Sequence, residues 1–110
     1  MRVKVVTAAY NAADFIGATI ESVLAQTHTD WIHVVVDDGS TDATSAVAGR
    51  YAESEPRARL LSVQNGGQAR ARNVGLAAPD GPFDAALFLD ADDILRPNAL
   101  ARLIAALAEH

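Results

Sequence analysis

One pattern constrains the fold of this chain more than any other feature of its 110 residues. Four times, a short run of aliphatic residues is followed by a stretch with helical periodicity. Such alternation is typical of a parallel sheet whose faces are covered by helices. The predicted strands are the runs at 3–7, 32–36, 60–63 and 85–89. We therefore predict an α/β fold with an open parallel sheet of about four β-α units, in one domain or part of one.

Four helices are expected after these strands. The first is predicted to begin near Asn11 as its N-cap, with Asp14 in its first turn. Residues spaced i, i+1, i+4, i+5, i+8 and i+9 predict its buried face: Phe15, Ile16, Thr19, Ile20, Val23 and Leu24. The other helices are predicted after a cap at Asp42 or Thr41, over 68–78, and from a first turn containing Pro97.

Composition narrows the classes of function. The chain has no cysteine, which excludes disulfides and cysteine-bound zinc, and His28, His33 and His110 lack metal-binding spacing. A reducing compartment is compatible, so we expect a cytoplasmic location, or the cytoplasmic face of a membrane for a longer protein. A net charge of −5 argues against nucleic acid as a partner, and no apolar run reaches membrane-spanning length. An acidic site that recruits a cation is compatible with this charge.

Polar residues follow each predicted strand. In open α/β sheets ligands bind outside the carboxyl ends of the strands, so these residues are expected to form one site. They are Tyr10-Asn11, Asp37-Asp38-Gly39-Ser40, Asn65-Gly66-Gly67 and Asp90-Ala91-Asp92-Asp93.

The fourth group contains two carboxylates in a DxD arrangement. In an extended segment residues i and i+2 face the same way, so Asp90 and Asp92 can converge on one point. Mg²⁺ and Mn²⁺ prefer oxygen ligands, and Mg²⁺ usually takes one or two carboxylates plus substrate phosphates. The alternative is a solvated turn whose carboxylates cap the last helix.

The second group places two like charges side by side, at Asp37 and Asp38. Asp37 can turn back and accept backbone N–H bonds, while Asp38 points outward to accept an N–H from a ligand such as a nucleobase. Tyr10 could supply an aromatic face for that base. The alternative is an Asx-type turn with a positive φ at Gly39 and a structural cap at Asp42.

Together these four groups, with Ala71-Arg72-Asn73-Val74-Gly75 and Pro97, resemble the family 2 glycosyltransferases. The resemblance covers nearly the whole chain. One departure is Ala8-Ala9, where the family often has Pro-Thr before Tyr-Asn. The resemblance implies a Rossmann-like sheet of the GT-A type, in which residues 1–110 are the nucleotide-sugar-binding part and a further half, absent here, binds the acceptor.

The resemblance also implies a role for individual residues. Asp38 would accept the N3–H of the base, with Tyr10 and Ala8 lining the base pocket. Asp90 would lie near the ribose and the sugar. Arg72 and Asp92 complete the set: Arg72 would face the nucleotide or brace the aspartate loops, and Asp92 would ligate Mg²⁺ or Mn²⁺ at the diphosphate.

The activity so implied is a metal-dependent, inverting transfer of a hexose from a nucleotide-diphosphate sugar, with UDP as the expected nucleotide. The acceptor would be a saccharide or a lipid-linked saccharide in cell wall or polysaccharide biosynthesis. The catalytic base would lie beyond the metal motif, so no catalytic residue is assigned in this chain. We expect the isolated chain to be inactive or nearly so.

Two alternatives belong to other classes. The segment Leu87-Phe88-Leu89-Asp90-Ala91-Asp92 also resembles the phosphatase motif of haloacid dehalogenase-like enzymes, with Asp90 as nucleophile and Asp92 as acid, although such motifs usually follow the first strand. A nucleotide-binding module without catalysis is the second alternative. A response-regulator receiver is disfavoured because Lys4 is the chain's only lysine, and a dinucleotide-binding oxidoreductase because no GxGxxG follows the first strand.

Overall fold

The computed structural model describes residues 1–109 and shows four strands alternating with four helices. The elements are β1 (Val3–Ala9), α1 (Ile16–Leu24), β2 (Trp31–Asp38), α2 (Thr44–Ser54), β3 (Ala58–Val63), α3 (Gln68–Ala77), β4 (Ala85–Phe88) and α4 (Ala99–Ala108). The predicted α/β class and its four β-α units are confirmed. His110, one of the three histidines considered above, lies outside the described residues. Within 1–109, no helix has the length and apolar character needed to cross a membrane.

The order of the strands fixes where a ligand can bind. All pairings are parallel and the order is β3-β2-β1-β4. The chain therefore moves outward from β1 to β3 and then crosses to the other side of β1 to form β4. A reversal of this kind separates the loops that follow β1 and β4, and leaves a crevice at the carboxyl ends of the strands.

The two central strands are buried on both faces, which explains their nearly continuous apolar sequence. On one face, β1 and β2 pack against α1, α2 and α4 through clusters that include Val5, Val35 and Leu100. On the other face, Val34 and Val36 pack against Ala71 of α3. Trp31 is buried in the first cluster.

Three predictions about α1 are wrong, one of them the placement of Asp14 in its first turn, since Asp14 precedes the helix. The helix begins at Ile16, not near Asn11, and Asn11 instead has a positive φ of 48°. The amide oxygen of Asn11 accepts the backbone N–H of Thr41 at 2.8 Å, so the loop after β1 is bound to the loop after β2 before the helix starts. Phe15 is not part of the buried face, because 55% of it is exposed. The last helix also begins later than predicted, at Ala99.

His33 is fully buried in the centre of β2, where its Nε2 lies 2.8 Å from the hydroxyl of Thr7. Its Nδ1 has no hydrogen-bond partner among the described residues. Desolvation by this burial lowers the pKa of His33 from 6.5 to about 4. The neutral imidazole is therefore the form that the folded protein accommodates.

We predict that acid destabilises the protein through His33. The unfolded chain takes up a proton near pH 6.5 and the folded protein only near 4, so stability is complete above pH 6.5 and falls between these values. The free energy of unfolding decreases in total by an amount on the order of 3 kcal/mol. Urea unfolding at several pH values between 7.5 and 4.5 measures it. His33→Asn should flatten this slope; an unchanged slope in the variant would assign the acid sensitivity to other groups.

Candidate functional site

A pocket of about 660 Å³ lies at the carboxyl-terminal edge of the sheet, in the crevice between the loops after β1 and β4. This volume is within the range of small-molecule and cofactor sites. Its lining includes Ala8, Tyr10, Phe15, Asp38, Asn65, Gln68, Asp90 and Asp92. Four of the five residues predicted to bind substrate, and the predicted metal ligand, therefore meet in one place.

The two adjacent aspartates, which are the last two residues of β2, have different partners. Asp37 accepts the backbone N–H of Ser40 at 3.1 Å, which is the predicted turn, and Gly39 has the predicted positive φ of 73°. The carboxylate of Asp38 lines the pocket and accepts the backbone N–H groups of Gly66 at 2.9 Å and Gly67 at 3.1 Å. The donors for Asp37 therefore come from the loop after β2 and those for Asp38 from the loop after β3. Hydrogen bonds to each carboxylate stabilise its charge and offset the cost of placing the two side by side. Carboxylate oxygens have further acceptor sites, so the bonds leave Asp38 able to meet a ligand donor.

The β3–α3 loop is also tied to β2 through Asn65. Its amide nitrogen donates to the carbonyl oxygen of Asp38 at 3.0 Å. A Cβ at Gly39 would lie 2.7 Å from the backbone nitrogen of Asn65, so only glycine allows this approach. The loop after β2 thus packs directly on the loop after β3.

Asp42 joins the loops after β1 and β2. Its carboxylate accepts the backbone N–H and the hydroxyl of Thr44 and the backbone N–H of Ala13. The hydrogen bonds from Thr44, its side chain first, lower the pKa of Asp42 below its ordinary value. Asp42 is structural, as predicted, but the prediction that it or Thr41 is the N-cap of α2 is wrong, because the N-cap is Ala43, which has no side-chain cap hydrogen bond.

The segment 90–98, called the acidic loop below, carries three carboxylates. One oxygen each of Asp90, Asp92 and Asp93 lies within 4.8 Å of the others. The predicted convergence is confirmed, but its geometry is a turn rather than an extended segment, because the N–H of Asp93 bonds to the carbonyl oxygen of Asp90 at 3.0 Å. The turn also places the carboxylate of Asp93 in the cluster. The prediction did not include Asp93, because it considered only residues i and i+2 on the same side of an extended segment.

These carboxylates fit a hard divalent cation. Opposite ligands of Mg²⁺ lie about 4 Å apart, so three oxygens with this spread are close to what one ion can bridge with modest side-chain rotation. Asp92 and Asp93 are exposed, and in residues 1–109 neither accepts a side-chain hydrogen bond in competition. Asp92 is therefore free to serve as the predicted ligand.

Arg72 contacts the acidic loop. Its guanidinium donates to Asp90 at 2.9 Å and lies 5.7 Å from the ring centroid of Phe88. The Nε2 of Gln68 is 3.4 Å from the same carboxylate oxygen of Asp90. Of the two roles implied for Arg72, the structure shows the bracing contact with an aspartate, and Arg72 is not part of the pocket lining.

Sequence patterns alone did not identify Phe15 and Gln68 as lining residues. The spacing of the apolar stripe predicts that Phe15 is buried in the core, yet Phe15 is exposed and lines the pocket, as Tyr10 does. Asn65 belongs to the strand-end groups that the sequence predicts to form the site, and it lies in the pocket lining. Gln68, at the start of α3, had no signal beyond its position after the two glycines.

Comparisons with known proteins agree with this geometry. A model of the family described as Glycosyl transferase family 2 matches residues 4–110. The succinoglycan biosynthesis protein ExoO of Rhizobium meliloti is 47% identical over 100 residues, which are 90% of this chain and 28% of that protein. The crystal structure of S. aureus TarS in complex with UDP has a TM-score of 0.86 and 29% identity, and covers 100% of this chain and 33% of that one.

A second solved structure holds a metal. The mannosyltransferase PcManGT from Pyrobaculum calidifontis, in complex with GDP-Man and Mn²⁺, has a TM-score of 0.79 and 30% identity over 96% of this chain and 32% of that one. The chain spans about a third of the length of the curated relatives it matches, with values of 32%, 28% and 39%. These similarities confirm the GT-A type of fold.

We predict that Asp38→Asn destabilises the protein more than Asp37→Asn does. Asp38 accepts N–H groups with both oxygens, so an amide there must set its NH₂ against one of them, at a cost of about 1–3 kcal/mol. Asp37 accepts one N–H with one oxygen, which an asparagine can also supply. Urea unfolding measures the two free energies. Equal losses would mean that the bonds to Gly66 and Gly67 contribute nothing specific.

Proposed function

The chain belongs to glycosyl transferase family 2, and on that premise we propose that it binds the donor in a metal-dependent, inverting transfer of a hexose. The donor proposed is a UDP-sugar, and the acceptor a saccharide or lipid-linked saccharide of a cell-surface or secreted polysaccharide. The observation that carries the proposal is the presence of Asp38, Tyr10 and Asp92 in the lining of one pocket. Residues on opposite sides of the molecule could not bind one nucleotide.

The proposed binding mode assigns the base to the side of the pocket formed by β1 and β2. Asp38 accepts an N–H of the base, Tyr10 supplies the aromatic surface, and Ala8 leaves space between them. The 4% exposure of Asp38 supports this assignment, because a hydrogen bond is stronger and more selective where water is excluded. UDP is proposed because TarS was solved with that nucleotide, whereas PcManGT was solved with GDP-Man.

The diphosphate is assigned to the acidic loop. Asp92, with Asp93 and Asp90 beside it, would hold Mn²⁺ or Mg²⁺, which as a Lewis acid offsets the negative charge that forms on the leaving diphosphate. Arg72 holds the Asp90 carboxylate by an ion pair, and Asp90 is then oriented toward the ribose and sugar. The proposed catalytic base lies in a further part of the enzyme, since the relatives are about three times as long as this chain. In that case the chain alone binds donor and transfers little or no sugar.

We predict that UDP binding depends on Mn²⁺ and that Asp92→Ala abolishes this dependence. Removing the Asp92 carboxylate takes away the cation that would bridge the protein and the diphosphate. The affinity for UDP in the presence of Mn²⁺ should therefore fall by about 10-fold or more. Calorimetric titration of UDP with and without Mn²⁺ measures the effect. Glu53→Ala removes an equal charge from an exposed site on α2 and should bind as wild type does. Equal UDP affinity with and without Mn²⁺ would reject the metal role.

We predict a separate loss for the base contact. Tyr10→Ala should weaken UDP binding by about 5- to 150-fold, equivalent to a stacking energy of about 1–3 kcal/mol. The loss should be the same with and without Mn²⁺, because the ring is proposed to contact the base. Phe83→Ala, which removes an exposed aromatic ring outside the pocket lining, is the control. If both variants bind equally, Tyr10 does not contact the nucleotide.

The phosphatase alternative is disfavoured by the family assignment and by the topology, since the acidic motif follows the fourth strand rather than the first. A direct test is incubation with a generic phosphomonoester and Mg²⁺. Turnover that is lost in Asp90→Asn would support that alternative over glycosyl transfer. UDP binding without transfer by any longer form of the protein would instead support a binding module.

A further inference from the structure

The buried face of α1 is polar along one line. Thr19, Ser22 and Gln26 lie at i, i+3 and i+7, so the first two fall on one side of the helix and Gln26 follows one turn later, just past its end. Their exposures are 0%, 8% and 5%. We call these three residues the polar line of α1. Buried polar side chains are costly unless they are bonded, so their partners indicate what they do.

Thr19 contacts the part of the acidic loop that contains Asp92. Its Oγ1 lies 2.8 Å from the carbonyl oxygen of Ala91 and 2.8 Å from that of Asp93. The residues on each side of Asp92 are therefore both within hydrogen-bond distance of one hydroxyl. A threonine donates a single proton at a time, so these two carbonyls share it, with the carbonyl oxygen of Phe15 as a longer third acceptor at 3.3 Å.

Ser22 and Gln26 contact the rest of the acidic loop and the start of α4. The hydroxyl of Ser22 accepts the N–H of Leu95 at 3.1 Å. The amide of Gln26 donates to the carbonyl oxygen of Arg96 at 2.6 Å and accepts the N–H of Leu100 at 3.0 Å. The polar line thus bonds to five backbone groups between positions 91 and 100.

These bonds do something that apolar packing cannot. In the described part of the chain, the acidic loop is not paired with a strand. Apolar contacts alone would allow the loop to shift along α1, because they are not directional. A hydrogen bond, in contrast, fixes which backbone group of the loop lies opposite each side chain of the polar line. Groups that orient the ligands of a metal are commonly worth 10- to 100-fold in its affinity. The acidic loop bonds to the polar line by its backbone and presents the carboxylates of Asp90 and Asp92 to the pocket.

We propose that the polar line of α1 sets the backbone position of Asp92 and Asp93 and thereby the affinity for the divalent cation. Thr19, Ser22 and Gln26 are positioning residues, since they act through the loop and do not line the pocket. The inference rests on the proposed function, because it assumes that Asp92 ligates the cation. It goes further by assigning the geometry of that ligand to a helix on the far side of the loop.

The central test compares Thr19→Val with Thr7→Val. Both substitutions remove a fully buried hydroxyl and keep the shape of the side chain, but the partner of Thr7 is His33 in the sheet. Mn²⁺ affinity is measured by the electron paramagnetic resonance of free Mn²⁺ at saturating UDP, and stability by urea unfolding. We expect Thr19→Val to weaken Mn²⁺ binding by about 10-fold and Thr7→Val to leave it unchanged. Thr19→Ser, which retains the hydroxyl, should restore it.

A second measurement requires no metal. Hydrogen exchange of the Leu95 amide should accelerate in Ser22→Ala, and that of the Leu100 amide in Gln26→Leu, because each loses its acceptor. The same amides should exchange as in wild type in Thr7→Val. These variants keep the inference testable if Thr19→Val does not fold.

The outcomes separate this inference from the function on which it rests. If wild type binds Mn²⁺ and Thr19→Val binds it equally well, the polar line is only structural and the inference is overturned. If wild type shows no Mn²⁺-dependent UDP binding, the metal role of Asp92 is overturned, and with it the effect of the line on a cation. Accelerated exchange in that case would still support a role of the line in holding the acidic loop.

Discussion

The hydrogen bonds between loops at the carboxyl-terminal edge of the sheet are the interaction on which the site depends. A parallel sheet delivers its strand ends to one edge, but the ladder of sheet hydrogen bonds stops there. Asp38 bonds to the loop after β3, Asn11 to the loop after β2, and Thr19 to the loop after β4. Each bond joins segments that are distant in sequence, so the pocket exists only when the whole sheet has formed.

Charge is arranged at this edge by the same means. Asp37, Asp38 and Asp42 are close in sequence, and each accepts N–H groups of the backbone. The carboxylates of the acidic loop are arranged differently. Among the described residues, only Asp90 of this loop has a cationic partner, which is Arg72. On one side of the site the carboxylates are hydrogen-bonded to the backbone, and on the other side they are exposed. Such a site suits a ligand with two parts: a neutral part that forms hydrogen bonds, and a part that a cation links to the exposed carboxylates.

The opposite edge of the sheet contains a second buried charge with a structural role. Lys4 is fully buried in β1, and its ammonium donates to the carbonyl oxygens of Leu76 and Ala78 and lies 3.6 Å from Asp80. These contacts hold the chain between α3 and β4 beneath the sheet. The hydropathy pattern did not indicate that Lys4 is buried. A lysine within an apolar strand is expected to be exposed, and only its hydrogen-bond partners in the folded protein explain its burial.

The sequence by itself determined the fold class, the order of the elements and the edge at which the site lies, because aliphatic runs and helical periodicity are local properties of the chain. It also indicated Asp38, Asp90 and Asp92, since residues that follow parallel strands must share an edge. Only the tertiary structure decided that Phe15 faces the pocket, that Asn11 bridges two loops and that Asp93 joins the carboxylate cluster. For Asn11 the physical reason is a hydrogen bond to Thr41, 30 residues away, which no local pattern encodes. For Asp93 it is the turn closed by its N–H on the carbonyl oxygen of Asp90, a conformation of the acidic loop that the sequence pattern of an extended segment does not predict. Phe15 precedes α1 instead of joining its buried face, because the helix begins only at Ile16.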